Sequence, residues 1–369
     1  MVRLLNHQEA DRVGILDGFW VETIDRWKKE GFPESATPAD YFEHDIAFVM
    51  FESRMGFREE VISEDADFKI LRNIDGVIFR IPKDKRHFVE NDIDMPGIPV
   101  DYLMKDRHDW EKYRHFFKPD DWRIAYKPDI TPPFYSTKAD LKALKEHYAS
   151  NRERNRFIFF APREPFEGAR GKLGTENLLY LMAADKEFIR ELFESEVDMV
   201  LDMYERFLKK GFEFDGLWAW GDICYNTGMM FSPALYRDLL MPAHKRLFGY
   251  FRDRGMHVMY HCDGNMNEVL PLLMGSGITA IQPLEVKAGN DIFKMKDQYG
   301  SRITLMGNMD VRVFAVTKEE IETEIKSKII YAMRAGGYLY HSDHSIPPEV
   351  SFENYRFVMD CVKKFGSYK

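Results

Sequence analysis

From residue 151 onward the chain repeats one pattern. A short apolar run rich in β-branched and aromatic residues ends in polar side chains, an amphipathic stretch follows, and the pattern returns. The runs are Phe157–Ala161, Leu217–Trp220, His257–Tyr260, Ile278–Leu284, Ile303–Met306 and Tyr338–Tyr340. From the third onward they start roughly 20 to 35 residues apart, the length of one strand–helix unit. The intervening stretches carry helix-end signals. Ser232-Pro233 predicts an N-cap and first turn for a helix running toward Gly255, kinked at Pro242. Thr317 with Glu320 predicts a capping box; Ile321, Ile325 and Ile329 then share a helical face, and Gly336-Gly337 ends it. Asn290 predicts the cap of a shorter helix ending near Gly300. Such repeats predict a parallel sheet covered by helices. An open dinucleotide-binding sheet would want G-x-G-x-x-G after a strand, and the sequence has none. Polar residues at nearly every strand end fit an α/β fold of the closed (β/α)8 TIM-barrel type.

Residues 1–150 read differently. Residues 8–33 are expected to be helical and Ile46–Phe51 to form the first barrel strand. Phe68–Ile81 alternates around Asp75-Gly76, which predicts a hairpin. Asp92–Pro99 and Lys118–Pro133 are rich in Pro and Asp and are expected as loops. The expected organisation is one barrel domain over 1–369. Residues 1–150 give N-terminal helices, the first strand and a small β meander, and 151–369 give the main repeats.

Composition narrows the function. The chain has 369 residues, 45% hydrophobic, enough for a large core and too many for wholesale disorder. The 20 Met and 29 Phe read as core filling. A net charge of −9 without basic patches argues against nucleic acid as a partner. No apolar run reaches the roughly 18 residues of a membrane span, and the first residues, MVRLLNHQEADRVGIL, lack the apolar core of a signal peptide. Three cysteines, Cys224, Cys262 and Cys361, are too few for a disulfide scaffold. The expectation is a cytoplasmic enzyme.

In a barrel, chemistry sits just past the C-terminal strand ends. Those positions carry Arg163 and Glu164; Asp222, Cys224 and Tyr225; His261, Cys262, Asp263 and Asn265; Glu285; Asn308 and Asp310; and His341, Asp343 and His344. One such His is usually a hydrogen-bonded structural group. Two His-bearing clusters, with carboxylates from further strands, converge as the ligands of a catalytic Zn²⁺ would, or as metal-free acid–base groups. Adjacent strand residues point to opposite faces, so if His261 faces the mouth Asp263 does too, and Cys262 points away. Trp218, Trp220, Phe160, Phe166, Tyr225 and Met229 are candidates for an apolar wall, or for ordinary packing.

Five segments, WGDICYNTGMMFSP (220–233), HCDGN (261–265), IQPLE (281–285), MGNMD (306–310) and YHSDHSIPPEVSFEN (340–354), resemble the uroporphyrinogen decarboxylase superfamily, strongly over about residues 205–365. The resemblance implies a (β/α)8 barrel and one of two activities: metal-free decarboxylation of uroporphyrinogen, or zinc-dependent methyl transfer involving a corrinoid protein. True decarboxylases of that family carry an Arg-rich segment like R-Q-A-G-R-Y for the substrate's carboxylates, and none occurs here. They end the last strand in G-H-G-I-P-P, and D-H-S-I-P-P here places His344 at that family's His. The methyltransferases hold zinc with H-x-C-G-N and G-C-G-I-P-P. The matching positions here are His261 and Asp263 in H-C-D-G-N, and His344, so both thiolates are replaced.

A His₂–carboxylate set holds catalytic zinc elsewhere and leaves it a harder Lewis acid than a thiolate set does. The expectation is a methyltransferase that takes a methyl group from a small donor, such as an aryl methyl ether, to the corrinoid (cobalamin) of a partner protein, an O-demethylase type of reaction. The alternative is a decarboxylase. The expected metal ligands are His261, Asp263 and His344, with Glu285 as a fourth ligand or a substrate contact. Asp222, Tyr225, His341 and Asn308 are expected in catalysis or positioning, and Arg163, Trp220 and Met229 in substrate binding. The resemblance allows a homodimer.

Overall fold

The computed structural model describes residues 1–83, 97–124 and 141–368. Its centre is an eight-stranded parallel sheet. The barrel strands are β1 (Gly14–Ile15), β2 (Ile46–Val49), β3 (Phe157–Phe160), β4 (Gly216–Trp220), β5 (His257–Cys262), β6 (Ala280–Pro283), β7 (Thr304–Met306) and β8 (Tyr338–Tyr340). They neighbour one another in chain order, and β1 returns to pair with β8 in the register Gly14↔Leu339, Ile15↔Tyr340. At the β1/β2 seam the Asp45 N–H donates to Ile15 O at 2.8 Å and the Ile15 N–H to Asp45 Oδ2 at 2.7 Å. With helices between the strands, this is a (β/α)8 barrel.

Alternation along the strands separates two apolar layers. Ile46, Phe48, Phe157, Phe159, Trp218, Met259, Ala280, Met306 and Leu339 fill the barrel, over a floor of Leu4 and Leu5. The intervening Ala47, Val49, Ile158, Phe160, Leu217, Ala219, Val258, Tyr260 and Cys262 face the helices. Burying both faces of every strand is why the runs are continuously apolar.

The helix signals hold with local changes. Thr317 and Glu320 form the capping box of Lys318–Ala332, and Ile321, Ile325 and Ile329 are buried. Ser232 caps Pro233–Leu235, but the kink is a π turn over Tyr236–Leu240 ahead of Met241–Arg252, in which Pro242 sits in the first turn. Asp291, not Asn290, caps Ile292–Tyr299; Asn290 instead bonds Gly264 O and Glu285 O at 2.9 Å each.

The N-terminal expectation is corrected. The first barrel strand is Gly14–Ile15 and Ile46–Val49 is the second, so residues 8–33 are not one helix; helix Val21–Lys29 begins only after β1. Side chains crowd the backbone at Gly14: a Cβ there would lie 2.5 Å from Met1 Sδ and 3.0 Å from Leu339 Cδ2 of β8.

Between β2 and β3 lies the meander, four antiparallel strands at Glu60–Glu64, Phe68–Arg72, Val77–Pro82 and Ile98–Tyr102. The hairpin at Asp75-Gly76 is as expected, with Gly76 at φ 84°. Of the two expected loops, part of Asp92–Pro99 and part of Lys118–Pro133 lie outside the described residues, and Ile98 and Pro99 belong to a strand. Buried Arg123 pins this region by donating to the carbonyls of Glu52, Arg54, Met55, Phe116 and Lys118. Among the described residues no helix is long and apolar enough to cross a membrane.

Candidate functional site

The strand-end residues of β4, β5, β6 and β8 meet over the barrel mouth. On β5, Met259 lies inside the barrel, while Tyr260 and Cys262 lie in the outer layer. The period of two therefore turns His261 to the mouth and Cys262 away. Burial pushes the Cys262 thiol up, with Cys224 adding to it, and its Sγ donates to Asp263 O at 3.1 Å. A buried, protonated thiol facing the helices is a poor ligand.

A hydrogen-bonded line fixes His261. Its Nδ1 lies 2.5 Å from Gln282 Oε1, a carbonyl that can only accept, so Nδ1 carries the proton. The Gln282 amide nitrogen lies 3.2 Å from His341 Nε2, and His341 Nδ1 donates to Ser342 O. Nε2 of His261 then presents a lone pair to two carboxylates, 3.9 Å from Asp222 Oδ1 and 4.0 Å from Asp263 Oδ1. Three electron-rich groups facing one another favour a positive charge among them. One answer is a proton: burial disfavours it on His261, but Asp263 and Asp222, with Gln282, outweigh burial and raise the imidazole's proton affinity. The other is a metal ion.

These three donors lie within 4.8 Å of one another, as do Asp263, Glu285 and His344. Tetrahedral zinc, with bonds of about 2.0–2.2 Å to N and O, needs donors roughly 3.3 Å apart, so small rotations close either set. The donor chemistry fits a divalent cation. The expected ligands are thus divided: His261 and His344 fall in different triads, and Asp263 belongs to both.

Asp222 accepts the Asp263 N–H at 2.9 Å, and its Oδ2 lies 3.7 Å from Arg170. Burial, then the charge on Asp263, pushes its carboxyl above the usual range. Glu285 is buried; its Oε2 accepts the Gly264 N–H at 2.7 Å and its Oε1 lies 2.9 Å from Lys287 Nζ. The His344 ring stacks against Trp20, with centroids 5.9 Å apart.

Other expected site residues hold the frame. Asn308, at φ 66°, donates to Leu284 O (2.7 Å) and Asn290 O (3.0 Å) and accepts the Ile292 N–H, all buried. Asp343 accepts the N–H groups of Val286 and Val311 at 2.9 Å each, tying the loops after β6 and β7 to the end of β8. Arg163 lies 3.4 Å from Asp75 of the meander and 5.4 Å from the Trp220 ring centroid. Trp220 packs on the barrel filling, and its indole N–H is buried without a partner among the described residues. Tyr225 and Met229 lie on a small hairpin at the rim, where Tyr225 is 52% exposed and Met229 half-buried. Phe160 is not a wall residue: it is buried in the helix-facing layer. Phe166 is buried against Phe231, and Trp218 lies inside the barrel.

Three site residues had no assignment from sequence. Gln282 is a polar residue inside an apolar strand run, which was the available signal. Lys287 follows Glu285 by two positions. Asp17, at the end of β1, is fully buried and accepts from Ser342 Oγ, Tyr355 (2.8 Å) and Tyr340 (3.1 Å), 3.9 Å from His341. Burial raises its carboxyl above the ordinary range.

The fold and this mouth define a (β/α)8-barrel protein with His and carboxylate groups gathered at the strand ends. Residues 166–365 match the family described as "Uroporphyrinogen decarboxylase (URO-D)", and the chain belongs to that family. Among similar proteins are the uroporphyrinogen decarboxylase of Vesicomyosocius okutanii, 31% identical over 76 residues (21% of this chain, 22% of that protein), and that of Syntrophotalea carbinolica, 26% identical over 137 residues (37% and 39%). The match thus spans well under half the length of these relatives. Over whole chains, a methyltransferase from Methanosarcina mazei has the same fold, with TM-score 0.61, 12% identity and coverage of 98% of this chain and 97% of its own.

Proposed function

We propose that this protein is a metal-dependent methyltransferase that carries a methyl group from a small donor, of the methyl-ether kind, to the reduced corrinoid of a partner protein. The observation carrying the reading is His261: its Nδ1 is committed to Gln282, and its Nε2 faces Asp222 and Asp263. His261 and Asp263 would hold the cation, with Asp222 as third donor, and Asp263 also groups with Glu285 and His344. When bound, a zinc-like cation supplies Lewis acidity toward the donor's oxygen. Gln282 and His341 keep the imidazole in the ligating tautomer. Tyr225, at the rim, and Asp222 would orient the donor or give a proton to its leaving oxygen. Trp220 and the Trp20–His344 stack offer flat surfaces to an aromatic donor.

The charge pattern supports this reading over decarboxylation of uroporphyrinogen, whose eight carboxylates need several cations. Arg163 faces Asp75, Arg54 pairs with Glu52 at 2.6 Å, Arg170 with Glu167 at 2.7 Å and Arg72 with Glu60 at 2.6 Å. The expectation is about one or more zinc per chain in protein purified without chelator, and chelator-sensitive methylation of a reduced corrinoid by methyl ethers. Metal-free protein that releases CO2 from a porphyrinogen would reverse the assignment.

A further inference from the structure

The mouth holds two triads of possible ligands that overlap at one residue. Asp222, after β4, and His261, on β5, complete one triad with Asp263, and Glu285 and His344, after β6 and β8, complete the other. Asp263 is their one common member, and a carboxylate has two oxygens to share between two ions. Carboxylate bridges of this kind join the two ions of binuclear centres, about 3.5–4 Å apart.

Charge points the same way. Asp222, Asp263 and Glu285 bring three carboxylates together. Among the described residues, Arg170 lies 3.7 Å from Asp222 and Lys287 2.9 Å from Glu285. The Lys287 ammonium marks the second triad as a place that takes a positive charge. Its side chain is 45% exposed and can swing into solvent when a stronger cation arrives. Asp343 does not compete, since one of its oxygens accepts from Val286 and the other from Val311, which fixes the loop that presents Glu285. Glu285 keeps lone pairs beyond the one given to Gly264.

We propose that the barrel mouth binds two divalent cations bridged by Asp263, the first on Asp222 and His261 and the second on Glu285 and His344. Each ion then has three protein donors and an open position, the arrangement of catalytic rather than structural sites. The proposal rests on the reading above that this mouth binds metal, and extends it by a second ion.

The test is titration of chelator-stripped full-length protein with Zn²⁺ alone, followed by calorimetry and elemental analysis. Wild type is expected to bind two equivalents. Asp222→Asn and Glu285→Gln should each bind one, and Asp263→Asn should weaken both, on the order of 100-fold, at or beyond the top of the range for perturbed metal sites. Lys287→Met should tighten only the second equivalent, about fivefold, the value of one exposed ion pair. A second measurement needs no variant: Co²⁺ added to the stripped wild type should give a full paramagnetic resonance signal at one equivalent. The signal should fall at two, as the bridged ions couple. One zinc per chain with Glu285→Gln unchanged would overturn the second ion and leave the single-metal reading standing. Two zincs with no coupling between cobalt ions would overturn the bridge. No bound metal would overturn both the proposal and the reading beneath it.

Discussion

His44 makes the fold sensitive to acid in a way that can be worked out in advance. It sits just before β2, fully buried and stacked on Phe19 with centroids 6.0 Å apart, and neither ring nitrogen has a hydrogen-bond partner among the described residues. Burial, reinforced by the positive charge of Arg156, pushes its pKa down to about 3 from an ordinary 6.5. A lowered pKa means the unfolded chain takes up a proton that the folded chain refuses. Stability from this group is therefore complete above pH 6.5 and falls as the pH drops toward 3. At pH 5 the loss is about 2 kcal/mol, one proton over 1.5 pH units at about 1.4 kcal/mol each. For a chain of this length that lowers the melting temperature by about 3 °C. The perturbation is His44→Phe, which keeps the stack and removes the titration. Melting temperatures of wild type and variant would be compared at pH 7.5 and pH 5. The difference between the two drops isolates His44 from the other buried imidazoles. Equal drops in the two proteins would refute the reasoning.

Other expectations concern the mouth. Cys262→Ser should change zinc affinity by less than about threefold and stability by about 1 kcal/mol, because the thiol faces the helices; a loss as large as that of His261→Ala would make Cys262 the ligand. Gln282→Met should weaken zinc binding by about 10- to 100-fold in a competition assay without touching a ligand, since it frees the His261 tautomer; unchanged affinity would exclude the positioning role. Gly264→Ala should cost about 3 kcal/mol or more in urea unfolding, for Gly264 is at φ 92° and an added Cβ would lie 2.7 Å from Tyr225 O. A neutral effect would mean the hairpin at the rim does not rest on the HCDGN turn.

Much of the barrel was legible because each strand is buried on both faces, which writes itself as a short apolar run between polar ends. The failure at β1 has the same cause in reverse. Two residues, Gly14 and Ile15, are too few to show a period, and they sit between stretches with helical spacing. Missing β1 also hid Asp17, whose role depends on lying beside β8. In the site, strand alternation alone separated Asp263 from Cys262. It could not separate polar strand-end residues that face the mouth from those that clamp loops. Asn308 and Asp343 are polar residues at strand ends like the candidate ligands, and only their backbone partners show that they hold the loops after β6 and β7. Nor does sequence spacing say that His261 and His344 fall in different triads that share Asp263, because that depends on how the strand ends are arranged around the mouth.

The most direct test of the central claim is methyl transfer itself. Zinc-loaded protein would be incubated with reduced cobalamin and a panel of aryl methyl ethers, other methyl ethers and methylamines, and the methylated corrinoid followed by its absorbance. The account predicts methylation from an ether donor that stops on chelation, returns with zinc, and is lost in His261→Ala. No methylation from any donor, together with undiminished release of CO2 from uroporphyrinogen by chelated protein, would contradict it.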